Sequence, residues 1–159
     1  SNGNKNKNTN QNNKVYEDNS DEDKDDPGNT IFHESCKFGF LQSVITMVND
    51  GQYLEILNNY KQTPFLLACL NGHLEVAQYL AKSGANVFAE DENWNSAIHY
   101  AAKCGNINLI DWLITEIKHN HSIVNKKGQT PEDIAKLYHQ EDAISYFELF
   151  NNTKFNSES

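Results

Sequence analysis

The feature that most restricts this chain is an internal period of 33 residues. Gly39, Gly72 and Gly105 are spaced by 33 and 33. Thr30, Thr63, Ser96 and Thr130 follow at 33, 33 and 34, and Ser35, Ala68, Ala101 and Ala135 do the same. Leu41, Leu74 and Ile107 recur at 33, as do Gly51 and Gly84. Self-similarity at a fixed period of this length is the mark of a repeat architecture, in which each unit is one supersecondary element that cannot bury its apolar face alone.

Each unit reads as two short helices. Thr63-Pro64 and Thr130-Pro131 place a hydroxyl cap ahead of a proline in the first turn. A short apolar helix follows, as in Phe65 to Leu70, and a Gly ends it where a positive φ is cheap. The second helix carries Leu41, Val44, Ile45 and Val48 in the first unit and Ile110, Leu113, Ile114 and Ile117 in the third. Both sets step i, i+3, i+4, i+7, one face of a helix. Stacked units would bury those faces together, so the expected fold class is all-α, a solenoid of helix-turn-helix units with short hairpin connections.

Thr63-Pro64-Phe65-Leu66-Leu67-Ala68, Asn71-Gly72-His73-Leu74-Glu75-Val76, Leu80 and Gly84-Ala85-Asn86-Val87 resemble an ankyrin repeat closely. Ser96-Ala97-Ile98-His99-Tyr100-Ala101-Ala102 with Gly105-Asn106 is similar to a second. Thr30-Ile31-Phe32-His33 with Gly39 resembles a divergent first unit, and Lys127-Gly128-Gln129-Thr130-Pro131 with Ala135 a terminal fourth. The resemblance covers about 25–150 and implies units at 25–57, 58–90, 91–124 and 125–150. It departs from the family pattern in four places. Lys61 and Trp94 stand where a hairpin Gly is usual. The third unit has one extra residue within Glu116–Ile123 and lacks the Gly-Ala pair, which predicts a longer second helix or loop. His139 replaces the Gly between the helices of the fourth unit, which predicts a tighter or irregular turn there. Asp133 stands in the phase of His33 and His99.

Composition narrows the partners. Residues 1–30 hold nine Asn, seven acids and four Lys but only Val15 and Tyr16 as apolar residues. Such a segment cannot offset its ordering entropy by burial, so 1–24 is expected to be a disordered tail, a solvated linker in which Ser20-Asp21-Glu22-Asp23 resembles an acidophilic kinase site. Residues 151–159 are expected to form a flexible polar tail. The net charge is −9, and all thirteen basic residues are Lys. A nucleic-acid binder needs a basic face and guanidinium forks, so nucleic acid is disfavoured, and an anionic membrane surface with it. The longest apolar run, Phe65 to Leu70, is too short to span a bilayer. Cys36, Cys69 and Cys104 are odd in number and have no zinc or dithiol spacing, which suits a reducing, intracellular compartment, cytoplasmic or nuclear.

No nucleophile–base pattern or phosphate loop appears, so no enzyme activity and no cofactor are expected. In ankyrin repeats the His of the His33 and His99 phase bonds within the helix-start turn and ties neighbouring units together. His119 and His121 form a His-x-His pair without a third ligand nearby, which reads as an exposed loop rather than a metal site. The resemblance implies a non-catalytic protein-interaction module (adaptor, scaffold or inhibitor), acting as a monomer, that takes a partner on its concave side. Carried over unit by unit, that side includes Phe38, Tyr60, Gln62, Leu70, Asn71, Trp94, Asn95, Lys103, Cys104 and Tyr138. Aromatic residues ringed by polar ones describe an interface hot spot. Lys37, Lys103, Lys126 and Lys127 on the same face imply a partner segment with acidic character. The rival reading is a recruitment domain of a longer protein, such as a protein S-acyltransferase or an acyl-CoA-binding protein.

Overall fold

The computed structural model describes residues 26–157, with side chains through 153. The expected tail at 1–24 lies outside the described residues. Eight helices occur among them: α1 Ile31–Lys37, α2 Leu41–Asn49, α3 Pro64–Leu70, α4 Leu74–Lys82, α5 Ala97–Cys104, α6 Ile107–Thr115, α7 Pro131–Leu137 and α8 Glu141–Ser157. They form four helix pairs. The first helices α1, α3, α5 and α7 stack side by side, and the second helices form a looser outer layer behind them.

Local chemistry explains the helix starts. Thr30, Thr63 and Thr130 sit in extended backbone and accept from the N–H of His33, Leu66 and Asp133, each at 3.2 Å. Pro64 and Pro131 occupy a first-turn position that needs no donor. Among the second helices α2, α4 and α6, only α6 has a side-chain cap, Asn106 accepting from the Leu109 N–H at 3.0 Å.

Burial is greatest in the middle units. In α3 every residue from Pro64 to Cys69 is buried, whereas α2 buries only Val44 fully. Leu80, Ile98, Leu109, Ile110 and Leu113 have no exposed surface. The first unit puts Glu34 and Ser43 in the phases that hold buried Leu67 and Val76 one unit later. Its outward stacking face is therefore partly polar, as suits a face with no described unit packed on it.

The glycines between paired helices serve two purposes. Gly72 has φ +72°, and a Cβ there would come within 2.9 Å of Cys104 Sγ and 3.0 Å of Asn106 Nδ2, both from the next unit. His139 keeps the same left-handed conformation, φ +55°, and Gln140 N–H bonds the Ala135 carbonyl at 2.9 Å as His73 N–H bonds that of Ala68. The turn is thus regular, contrary to the sequence expectation. No described unit follows to collide with the imidazole, so only the φ preference is given up there.

One further expectation, a longer second helix or loop in the third unit, resolves to the loop, and one about the C-terminal residues is corrected. Helix α6 has nine residues, the same as α2 and α4, so the extra residue of the third unit lies in the loop after it. In that loop Lys118, at φ +62°, does the work of Gly84, and His119 takes the place of Ala85. The residues at 151–157, expected as tail, continue α8. Asn151 holds this extension by donating to Glu132 Oε2 at 3.2 Å and pairing with His121 Nε2 at 3.1 Å, while Tyr146 OH donates to Asp111 Oδ1 at 2.7 Å.

Candidate binding surface

The connections between units are built on one repeated side chain. Asn58, Asp91 and Asn125 are spaced by 33 and 34. The Oδ1 atom of each accepts two backbone N–H groups: Tyr60 and Gln62 at 3.0 and 2.9 Å, Asn93 and Asn95 at 2.8 and 2.8 Å, Lys127 and Gln129 at 3.0 and 3.0 Å. Asx side chains favour such turns because they replace a backbone acceptor. The loop closes through main-chain bonds such as Asp91 N–H to the Asn95 carbonyl at 3.0 Å, with one left-handed residue at the tip: Lys61, Trp94 or Gly128. The column is periodic in the sequence, but Asn and Asp at these positions read there as ordinary loop residues.

These tips are joined into one platform. The N–H of Asn59, Glu92 and Lys126 donate to the carbonyls of Pro27, Tyr60 and Asn93 in the preceding connection, at 2.7, 3.3 and 3.0 Å. A side-chain chain runs alongside. Asn58 Nδ2 donates to Asn29 Oδ1 and Gln62 Oε1, Gln62 Nε2 to Tyr100 OH, and Tyr100 OH to Asp91 Oδ2 at 2.6 Å. Asn95 Nδ2 also donates to Asp91 Oδ2, and Asn125 Nδ2 donates to Asn95 Oδ1 and Gln129 Oε1. Burial and the Asp91 carboxylate together raise the Tyr100 hydroxyl's pKa, keeping it a donor. A fully satisfied network of this kind rigidifies what it joins.

Two histidines tie the platform to the helices. His33 Nε2 lies 3.1 Å from the Gln62 carbonyl, and His99 Nε2 lies 2.9 Å from that of Gln129. A carbonyl only accepts, so Nε2 carries the proton. Nδ1 then accepts the N–H of Thr30 at 3.1 Å or of Ser96 at 3.2 Å. Burial lowers both histidines' pKa values, with the carbonyls pulling weakly the other way.

Large side chains stand out on this polar ground. Trp94 and Phe38 are each 54% exposed, Tyr138 44% and Tyr60 36%. Three lysines lie over rings: Lys126 Nζ is 5.5 Å from the Trp94 centroid, Lys103 Nζ 4.8 Å from Tyr138, and Lys37 Nζ 5.3 Å from Phe38.

Residues 66–114 match the family model of ankyrin repeats. The chain belongs to the ankyrin-repeat family. It is 28% identical to XBAT35 of Arabidopsis thaliana over 67% of its own length and 24% of that protein's. It is 32% identical to NF-kappa-B inhibitor alpha of Gallus gallus, covering 57% of this chain and 28% of the relative. With p28 of Saccharomyces cerevisiae the identity is 34%, over 71% and 50%. The chain thus spans a quarter to a half of these relatives. Ankyrin repeats are protein-interaction modules and are in general non-catalytic.

Within the ankyrin array the ten surface residues read from sequence fall into two rows. Phe38, Asn71, Cys104 and Tyr138 share one phase at the ends of the first helices, beside Leu70 and Lys103 in the phase before it. Tyr60, Gln62, Trp94 and Asn95 lie in the connections. Several of the ten already serve the fold: Leu70 packs half-buried against the core, and the Asn71 side-chain amide donates to the Leu67 carbonyl at 2.9 Å. The Gln62 and Asn95 amides are committed to the network above, whereas Trp94, Tyr138 and Phe38 leave about half their surface open. Phe38 is set apart in the first unit, stacked on Phe40 at 6.0 Å.

The remaining reactive groups are held inert. Burial pushes the Cys36 thiol up to about 12 and raises those of Cys69 and Cys104, so none is a ready thiolate. His119, expected in an exposed loop, is only 5% exposed, and its ring lies 5.2 Å from that of Phe88. It fills the Ala85 position because the added loop residue turns it inward, and neither ring nitrogen has a hydrogen-bond partner. His121 instead bonds Asn151. The described residues contain no group of three or more potential metal ligands and no helix long and apolar enough to cross a membrane.

Proposed function

We propose that this array is a non-catalytic interaction module, an adaptor, scaffold or inhibitor, that holds a protein segment on its concave face around the second and third units. The observation that carries this reading is Trp94. It adopts φ +61° at a connection tip where Gly128 serves in the next unit, and it leaves half its indole in water. A left-handed non-glycine residue costs about 1–2 kcal/mol, and such strain concentrates at functional positions. An exposed aromatic gains nothing for folding, whereas burial against a partner contributes about 2–3 kcal/mol. Tyr60 lies on the neighbouring tip, and its carbonyl is held by the Glu92 N–H.

The double change Tyr60→Ala, Trp94→Ala should weaken binding of a captured partner by about tenfold or more while urea melts move by about 1 kcal/mol or less. Trp94→Gly should lose binding equally and leave stability level or slightly higher, because it relieves the tip. Normal binding by both variants would sink the reading, and so would unfolding of the double variant.

A second reading, recruitment within a longer protein, draws on the chain's spanning only 24% of XBAT35. Three free cysteines, two of them buried in equivalent positions of adjacent units, favour a reducing compartment inside the cell.

A further inference from the structure

Between the third and fourth units the concave face opens into a cleft of about 150 Å³. That is below the roughly 300 Å³ of an ordinary small-molecule site, and suits one side chain. Its wall is cationic in an acidic protein: Lys103 and Lys127 line it and no Asp or Glu does. Among the described residues neither lysine pairs with a carboxylate; the ion pair found there is Lys136 with Glu132. The polar groups along the floor are already engaged, Asn95 and Asn125 with each other and His99 with the Gln129 carbonyl. The two ammonium groups and the Asn93 amide are left as donors for a ligand. Beside them Leu137 and Tyr138 are 56% and 44% exposed, and the Lys103 ammonium is already held over the Tyr138 ring.

Resting on the concave-face reading above, we propose that this cleft takes a single carboxylate side chain, Asp or Glu, from an extended partner segment whose neighbouring apolar residues lie on Leu137 and Tyr138. The overall charge of −9 repels a long acidic run, so the segment carries an isolated carboxylate between apolar residues. Lys103 and Lys127 come from different units, so the site exists only when the third and fourth units are stacked.

The test is an amide chemical-shift titration of the isotopically labelled full chain with two capped pentapeptides, Leu-Ala-Glu-Ala-Leu and its Gln counterpart, at millimolar concentration. The Glu peptide should shift the amides of Lys103, Lys127 and Tyr138, and the Gln peptide should bind about tenfold more weakly. The double variant Lys103→Gln, Lys127→Gln, with an unchanged melt, should reduce the Glu peptide to the level of the Gln peptide. Equal response to both peptides, an unaffected double variant, or silence at the cleft overturns the carboxylate site. If Tyr60 and Trp94 respond alike to both peptides, the concave-face reading stands while this proposal falls. If only residues of the outer helices respond, both fall.

Discussion

His99 Nε2 lies 2.9 Å from the carbonyl oxygen of Gln129, thirty residues further along, and so fastens the third unit to the connection that opens the fourth. The same imidazole accepts the Ser96 N–H, capping its own helix. His99→Ala should therefore cost about 2–3 kcal/mol, since it strands a half-buried carbonyl and a buried N–H at once. Urea melts measure this. A loss under about half a kilocalorie per mole would mean that water replaces the ring without penalty.

Acid should loosen the array through the same residues. His33, His99 and His119 are lowered from 6.5, chiefly by burial. Below that value the unfolded chain takes up protons that the folded chain refuses, so stability is full above about pH 6.5 and falls as pH drops toward the folded-state values. Protonation of Nδ1 on His33 or His99 would also remove the acceptor of a helix cap. His119→Ala, which restores the residue found at Ala85, should make the decline below pH 6.5 shallower. Thermal melts across pH 5 to 8 would show it; a flat profile in the parent chain would contradict the assignment.

Leu80 and Leu113 are fully buried in the second helices of the middle units. Truncating either to Ala should cost about 2–5 kcal/mol, a large share of a small domain's stability. Val48→Ala, at the half-buried edge of α2, should cost clearly less. Equal losses at all three sites would mean that the first unit is as tightly packed as the middle ones.

Gly72→Ala should destabilise by more than 1 kcal/mol, roughly, because the new methyl meets Cys104 and Asn106 as well as an unfavourable φ. His139→Gly should be neutral or stabilising by up to about 1 kcal/mol, since it relieves the φ alone. If the two changes have the same sign in denaturant melts, close stacking is not what reserves the earlier turns for glycine.

The period, the caps and the apolar faces were legible because each is a local requirement written once per unit. A hydroxyl at Thr63, a proline at 64 and a glycine at 72 act within their own turn, and repetition every 33 residues raises them above noise. The Asn58, Asp91 and Asn125 column was equally periodic, but Asn and Asp are ordinary loop residues, and only the two N–H groups each one accepts mark it as the centre of a turn. The tertiary structure decided what depends on a neighbour. Whether Gln62 faces a partner or Tyr100 turns on a residue 38 positions away, and nothing local records that distance. His119 looked like loop until one inserted residue, with Lys118 taking a left-handed turn, swung its ring inward against Phe88. The cleft between Lys103 and Lys127 belongs to the same class: two ammonium groups 24 residues apart become one site only when stacking brings a helix end of one unit beside the connection that follows it.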